Sequence, residues 1–345
     1  MGGANTPLAP IGPFRGPPTQ PHPHPRALPA CYPASMAVTT DPLRVLVLAG
    51  GPDREREVSR ISGAAVAAAL EQAGHDVRQR DIGPEDLSAL DEFVHWPGQV
   101  IFPVLHGRWG EGGPLQAILD ERELAYVGAR HDAAALCMDK HRSKQLLTRN
   151  DIVTPAHEVL EPGQAPSLKP PVVVKPVDEG SSIGMAICHD QAQLDAAIGE
   201  LAEQFAPLML ERYVAGMEVT VGVIESPDGY GPEPLPPIHI VPAGAFYDYD
   251  AKYEREDTQY LFEIDLPGLV LAELQRLALV TCDVLGVRHL ARVDFIVDEQ
   301  QQPWVLEVNT MPGFTGHSLL PMAAAHAGID MPALTDRLVR LALAG

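Results

Sequence analysis

The sequence predicts a mixed α/β and α+β protein, and three stretches carry that prediction. Leu43 to Ala49, LRVLVLA, is a short, wholly apolar run. It turns at Gly50-Gly51 into an alanine-rich helical pattern, Val58 to Ala73, closed by Gly74. Strand, glycine turn and helix in that order open a doubly wound α/β fold. Val100 to Leu105, VIFPVL, is a second buried-strand pattern of the same kind. Far along the chain, Arg292 to Ser318 reads as an antiparallel hairpin followed by a glycine-containing loop.

Composition sets the bounds. At 345 residues the chain is long enough for about two or three domains. Its 46% hydrophobic content is ample for sizeable cores. A formal net charge of −21 argues against nucleic acid or an anionic membrane surface as the main partner. Cys31, Cys137, Cys188 and Cys282 are scattered without C-x-x-C spacing, which fits free thiols in a reducing cytoplasm. No apolar run approaches the roughly 18 residues of a membrane span. Residues 1–41 form a proline-rich leader, expected to be disordered. Its first 36 residues hold no acidic side chain, and Met36 directly precedes the ordered-looking chain. A start codon placed too early would account for the extension, and a native mass beginning at Met1 would refute that.

Taken in order, the first loop carries GPDREREVS and sets Glu55 near a helix N-terminus, where a carboxylate can hold an ammonium group or merely complement the dipole. After the second strand, HGRWGEGG brings His106 and Glu111 to the strand's C-terminal end, where open α/β sheets bind ligands. Pro114 to Glu121 is helical. From Asp132 one helix is expected to run through MDKHRSKQLL, with Lys140 and Lys144 a turn apart. Pro171 to Lys175 is a buried strand ending in lysine. The loop DEGSSIGM then leads to a short strand into Cys188, and Gly180 and Ser182 lie in that loop. Such a loop can cradle phosphates or be a plain hairpin turn. Neither a Walker A nor a G-x-G-x-x-G pattern occurs, so any nucleotide site must be of another type. Gln191 to Gln204 is helical. Strands follow from Leu208 and through Glu211 and Glu218, and then a long polar segment, AGAFYDYDAKYEREDTQYL, contains Lys252 and Tyr253. Helices at Leu271 to Leu285 and Met331 to Leu343 complete the chain.

The hairpin holds the most chemistry. Folding it about Gln300 and Gln301 sets Asp294 opposite Glu307 and Arg292 opposite Asn309, all on one face. Two carboxylates about 5 Å apart repel unless something positive lies between them. An Asp/Glu/Asn oxygen set suits Mg²⁺, and a solvated hairpin face is the competing reading.

Seven collinear motifs, LAGGxxxEREVS, LHGRxGExG, MDKxRSK, VVKPxxEGSSIGM, FYDYDAKY, ARVDF and LEVNTMPGFTGHSL, closely resemble the D-alanine–D-alanine ligases. These are ATP-grasp enzymes of peptidoglycan precursor synthesis, and the resemblance spans Leu43 to the C-terminus. It implies a three-domain ATP-grasp architecture: an N-terminal α/β substrate domain at 42–128, a small central domain at 129–210, and a C-terminal domain at 211–345. By resemblance, Lys140 and Lys175 contact the ATP phosphates, the Gly180–Ser182 loop closes over them, and Glu211 and Glu218 meet the adenine edge and ribose. Asp294, Glu307 and Asn309 are implied to hold two Mg²⁺ (or Mn²⁺) ions. Glu55 and His106 fall to the first D-alanine, with Glu111 beside them. Arg292 and the Gly313 N–H fall to an oxyanion, and Ser318 and Lys252 to the second carboxylate. Ser181 and Tyr253 tie the loops over the reactants. A cytoplasmic homodimer is the family expectation. Gly112 departs from the family's usual aspartate, and a local change in loop rigidity without loss of the site is expected.

Overall fold

The computed structural model describes residues 41–160, 165–242 and 258–344, and three sheets organise them. Lys252 and Tyr253 lie outside the described residues. The first sheet is parallel, with β1 (Arg44–Gly50) between β2 (Asp76–Ile82) and β3 (Val100–Pro103). Both faces of β1 are covered, as its unbroken apolar run requires. Val45 and Val47 pack under the helices Arg56–Gln72 and Met331–Ala344, whereas Leu46 and Leu48 join Leu90, Phe93 and Leu115 on the other side. β2 carries no apolar signal because it is an edge strand whose DVRQRDI side chains mostly face solvent.

The second sheet is antiparallel, in the order β4 (His157–Val159), β7 (Leu208–Arg212), β5 (Val172–Pro176), β6 (Ala186–Cys188). Helix Gln191–Ala202 covers it through the buried Leu194. In the third sheet the path is β11 (Gln259–Leu261), β10 (Ile238–Val241), β8 (Gly216–Glu225), β12 (Leu290–Asp298), β13 (Pro303–Asn309), with β9 (Pro232–Pro234) also on β8. Helix Gly268–Leu285 buries Leu274, Ala278 and Cys282 against this sheet, and Gly286 ends it in the left-handed conformation. Among the described residues no helix is long and apolar enough to cross a membrane.

The single helix expected from Asp132 is two. His131–Met138 stops at Asp139, whose backbone is extended (ψ 94°) and whose carboxylate caps the next helix by accepting the Arg142 N–H at 2.9 Å. An aspartate three residues before a free N–H is an N-cap signal that the apolar periodicity concealed. The break puts Lys140 at the first position of helix Lys140–Arg149, and its N–H bonds Val177 O at 3.0 Å. Lys140 and Lys144 remain one turn apart.

In the hairpin, Asp294 pairs with Glu307 and Arg292 with Asn309, as expected, although by a different route. The turn is a three-residue loop: Gln301 N bonds Asp298 O, Asp298 N bonds Gln302 O, and Gln301 is left-handed with φ +63°. That loop pairs Phe295 with Val305 and Ile296 with Trp304, one register off the symmetric expectation. An irregularity beyond Phe295 sets Leu306 and Glu307 together opposite Asp294 and restores the pairing at the site. Val305 and Val308, three apart, both point into the core, whereas Leu306 and Glu307 face the other way.

A polar tie joins the two ends of the described chain. His75, its side chain fully buried, accepts the Leu43 N–H at Nδ1 (3.0 Å). Its Nε2 therefore carries the proton and donates to Asp336 on the last helix at 2.8 Å. Replacing His75 with Ala strands the Leu43 N–H. We expect a loss of about 1–3 kcal/mol, read as a lower urea midpoint with an unchanged slope.

Candidate active site

Two chambers open where the three sheets meet, and they share one wall. The smaller, of about 100 Å³, is lined by Glu55, His106, Glu111, Arg292, Gly313 and Ser318, among others. The larger, of about 310 Å³, lies between the second and third sheets and includes Lys175, Glu211, Glu218 and Asp294. Lys140, Glu179 and Glu307 line both. The loop after β5 divides between them: Gly180 and Ser181 line the first chamber, Ser182 and Ile183 the second.

Polar, buried side chains converge on the first chamber. Glu55, at the start of helix Arg56–Gln72, leaves that helix uncapped and instead accepts a hydrogen bond from the Ser181 hydroxyl. Ser181 and Ser182 both hold left-handed backbone (φ +51° and +57°), which bends their loop down onto Glu55. Burial, and next the nearby Glu55 charge, push the Glu111 carboxyl up to about 8. Burial pulls the His106 imidazole down, so at neutral pH it is uncharged. Its Nε2 is buried without a hydrogen-bond partner among the described residues. The Glu55 carboxyl group, beside a neutral imidazole and a proton-holding acid, offers acceptor oxygens that suit a small ligand's ammonium group. Arg292 lines the same chamber, and beside it a hydroxyl pair, Ser318 and Thr315, lies 2.9 Å apart at the loop around Gly313.

The second chamber combines buried lysines with apolar walls, side chains whose chemistry suits phosphates and an apolar ring. Lys175 lies 3.1 Å from Glu211, and the fully buried Lys144 is 2.7 Å from the same carboxylate. Burial opposes the charge on Glu211, but Lys144 and Lys175 outweigh it and hold the carboxyl low. Lys175 likewise overcomes burial through Glu211 and Glu307, and its ammonium is held high. Ile183, Met185, Ile187, Val214 and Leu306 supply apolar walls.

Glu307 in the shared wall has Lys140 at 3.6 Å, and the Lys140 ammonium also donates to the Glu179 carbonyl. Asp294 is held by both arms of Arg292 (2.9 and 2.8 Å) and by the Thr220 hydroxyl at 2.6 Å. Each of these carboxylates thus has a basic side chain beside it, Arg292 at Asp294 and Lys140 at Glu307. Asn309 follows on the same strand face and accepts the Met311 N–H at 3.0 Å. Three hard oxygen side chains converging on one face fit a divalent cation in chemistry, with Asp294 shared with Arg292. Among the described residues no cluster of three His, Cys, Asp or Glu side chains forms a metal site. This set has two carboxylates and an amide.

The model of the D-ala D-ala ligase C-terminus matches residues 143–340, more than half the chain. The chain belongs to the D-alanine–D-alanine ligase family. It is 42% identical over 297 residues to the D-alanine–D-alanine ligase of Pseudomonas entomophila, covering 84% of this chain and 90% of that protein. The Gloeobacter violaceus ligase is also 42% identical, over 86% of this chain and 98% of its own length. Among solved structures, the Bacillus anthracis D-alanine–D-alanine ligase complexed with ATP matches with a TM-score of 0.73 at 28% identity, covering 88% of this chain and 98% of that one. VanG D-Ala:D-Ser ligase of Enterococcus faecalis matches with 0.75 at 25% identity, over 88% and 100%.

A Cβ at Gly112 would collide with the Arg108 carbonyl oxygen and lie 3.0 Å from its Cα, so this loop is too tight there for the aspartate that the resemblance leads one to expect. Glu111 nevertheless stays in the first chamber, where its carboxylate accepts the Gly107 N–H at 3.2 Å. Sequence reasoning missed several contributors. Lys144 was readable from its helical spacing to Lys140, but its burial against Glu211 was not. Thr220 on β8 lies in none of the seven motifs, and neither do Ile187 and Val214 of the second chamber's apolar walls; Thr315 lies within a motif, but its pairing with Ser318 was not readable from it.

Glu111 gives a signed pH dependence. Its carboxyl ionises near 4.5 in the unfolded chain and near 8 when folded. Between those values the folded state holds the extra proton, so this group's contribution lowers stability as pH rises through the window. Glu111→Gln removes that contribution. Its thermal midpoint is expected to fall less between pH 5 and pH 8 than that of the unsubstituted protein; an identical fall would mean Glu111 is ionised in the fold.

Proposed function

We propose that this chain joins two D-alanines into D-alanyl-D-alanine with cleavage of ATP to ADP and phosphate, supplying peptidoglycan precursor. One observation carries the reading: the Lys140–Glu307 wall is common to a small chamber suited to ammonium and carboxylate groups and a larger lysine-lined one. A phosphoryl group at that wall is within reach of a carboxylate bound next door.

Glu55 holds the ammonium of the first D-alanine, with uncharged His106 and proton-holding Glu111 beside it. The carboxylate of that D-alanine attacks the γ-phosphorus and ADP leaves, giving an acyl phosphate. Lys140 and Lys175 contact the phosphates and offset charge on the transferring group, work that phosphoryl transfer assigns mainly to positioning. Glu211 and Glu218 meet the nucleotide's adenine and ribose, and the Gly180–Ser182 loop covers its phosphates. Asp294, Glu307 and Asn309 would hold two Mg²⁺ or Mn²⁺ ions, whose charge would offset that of the phosphate oxygens. The amine of the second D-alanine, having lost its proton, then attacks the acyl carbon and phosphate departs. Arg292 and the Gly313 N–H face the oxyanion of that step. Ser318 and Lys252 receive the second carboxylate. Ser181, bonded to Glu55, and Tyr253 close the loops over the acyl phosphate and exclude water. Three domains, a homodimer and a cytoplasmic setting complete the proposal.

A D-lactate or D-serine acceptor is the second reading, and the likeness to VanG favours giving it a test. Products formed by purified protein from D-alanine, D-serine and D-lactate, with ATP and Mg²⁺ near neutral pH, should show the D-alanine dipeptide dominant. Preference for either other acceptor would reverse the assignment. Lys175→Ala should lower turnover by at least a hundredfold, the scale of a lost charge contact in a closed site, as read by D-alanine-dependent ADP release. Near-normal turnover would reduce Lys175 to a partner of Glu211.

A further inference from the structure

The segment from Val177 to Met185 has little backbone support. β5 and β6 pair only from Val172 to Val174 with Ala186 to Cys188. Beyond that, Val177 N bonds Pro207 O, Lys140 N bonds Val177 O, and Ile183 N bonds Gly180 O. Side chains must hold this loop against the first sheet's loops. One tie, Ser181 to Glu55, is inside the first chamber. A second is outside it: Arg108 Nε is 3.2 Å from the Asp178 carboxylate, with the arginine side chain 63% exposed and the aspartate 25%. Asp178 lines neither chamber, and neither does Arg108.

More opposite charge surrounds that pair. Arg54, next to Glu55, places its guanidinium 5.7 Å from the centre of the Phe205 ring, on the chain that leads into β7. Its charge and that of Arg108 both act favourably on Glu179, which burial and the neighbouring Asp178 and Asp53 disfavour as an anion. Asp53 joins the two arginine-bearing loops, accepting the Trp109 N–H at 3.3 Å. The first sheet's loops therefore present two arginines to a covering loop that carries two consecutive acids.

We propose that Arg108 and Asp178, seconded by Arg54, form an electrostatic clasp that positions the Gly180–Ser182 loop over the reactants without touching them. The clasp rests on the ligase reading for its kinetic test and on geometry alone for its structural one. It acts on the balance between open and closed loop, so it shifts apparent affinities more than the chemical step. An exposed pair is also screened by salt.

Arg108→Asp and Asp178→Arg each leave like charges facing one another, and the double exchange restores attraction. At low ionic strength each single variant should raise the KM for ATP and for D-alanine by roughly two- to fivefold, with a smaller change in kcat. The double exchange should return both toward the starting value. All four proteins should converge near 1 M salt, where the Debye length is about 3 Å. Unequal thermal midpoints would flag a folding effect. In that case Arg108→Gln, which removes the charge without repulsion, should still give the smaller, salt-sensitive rise. Independently of ligase activity, a glutamate-specific protease should cut after Glu179 faster in Arg108→Asp than in the unsubstituted protein. Single variants with unaltered KM and unaltered cleavage, or a double exchange as impaired as both singles together, would overturn the clasp. Absence of dipeptide synthesis in the unsubstituted protein, with faster cleavage in Arg108→Asp, would sink the ligase reading and leave the clasp.

Discussion

One extra residue in β13 decides where the chemistry can happen. The three-residue turn at the hairpin tip fixes a register in which an unbroken ladder would set Leu306 opposite Asp294 and send Glu307 into the core. A carboxylate there would be buried beside Val293 and Val305, an unfavourable environment for charge. The irregularity at Leu306 turns Glu307 back out, beside Asp294 and 3.6 Å from Lys140. Bulges re-aim side chains next to functional sites, and here the re-aimed residue is the one shared by both chambers.

Charge around that wall is compensated pair by pair. Lys144 and Lys175 clamp Glu211, Arg292 and Thr220 hold Asp294, and Lys140 faces Glu307. In the first chamber acids compete, and burial together with the nearby Glu55 pushes the Glu111 carboxyl up to about 8. Buried charge is tolerated where a partner is within reach, and is neutralised by protonation where it is not.

The chambers depend on how the three sheets are held. Helix Met331–Ala344, last in the described chain, packs on helix Arg56–Gln72 and β3 near its beginning. His289, left-handed at φ +66°, accepts the Gly128 N–H, and Arg288 donates to the Gly128 carbonyl, tying the end of the first region to the start of β12. These ties set Glu55 and His106 against Arg292 across more than 180 residues of chain.

Local sequence determined the elements whose signals are local. The apolar runs of β1 and β3, the helix closed by Gly74, and the collinear motifs were legible because burial on two faces and glycine turns leave marks in composition. The edge strand β2 left none, since solvent-facing side chains show no apolar pattern, and the cap at Asp139 was masked by continuous helical periodicity. At the hairpin, sequence symmetry reached the correct partners for Asp294 and Arg292 only because two deviations cancel, a turn centred on Gln300 alone and a displaced residue. Tertiary structure alone decided that cancellation, the burial of Lys144 and the meeting of Arg108 with Asp178. Each depends on what another segment places across the gap, and a single strand's periodicity carries no information about that.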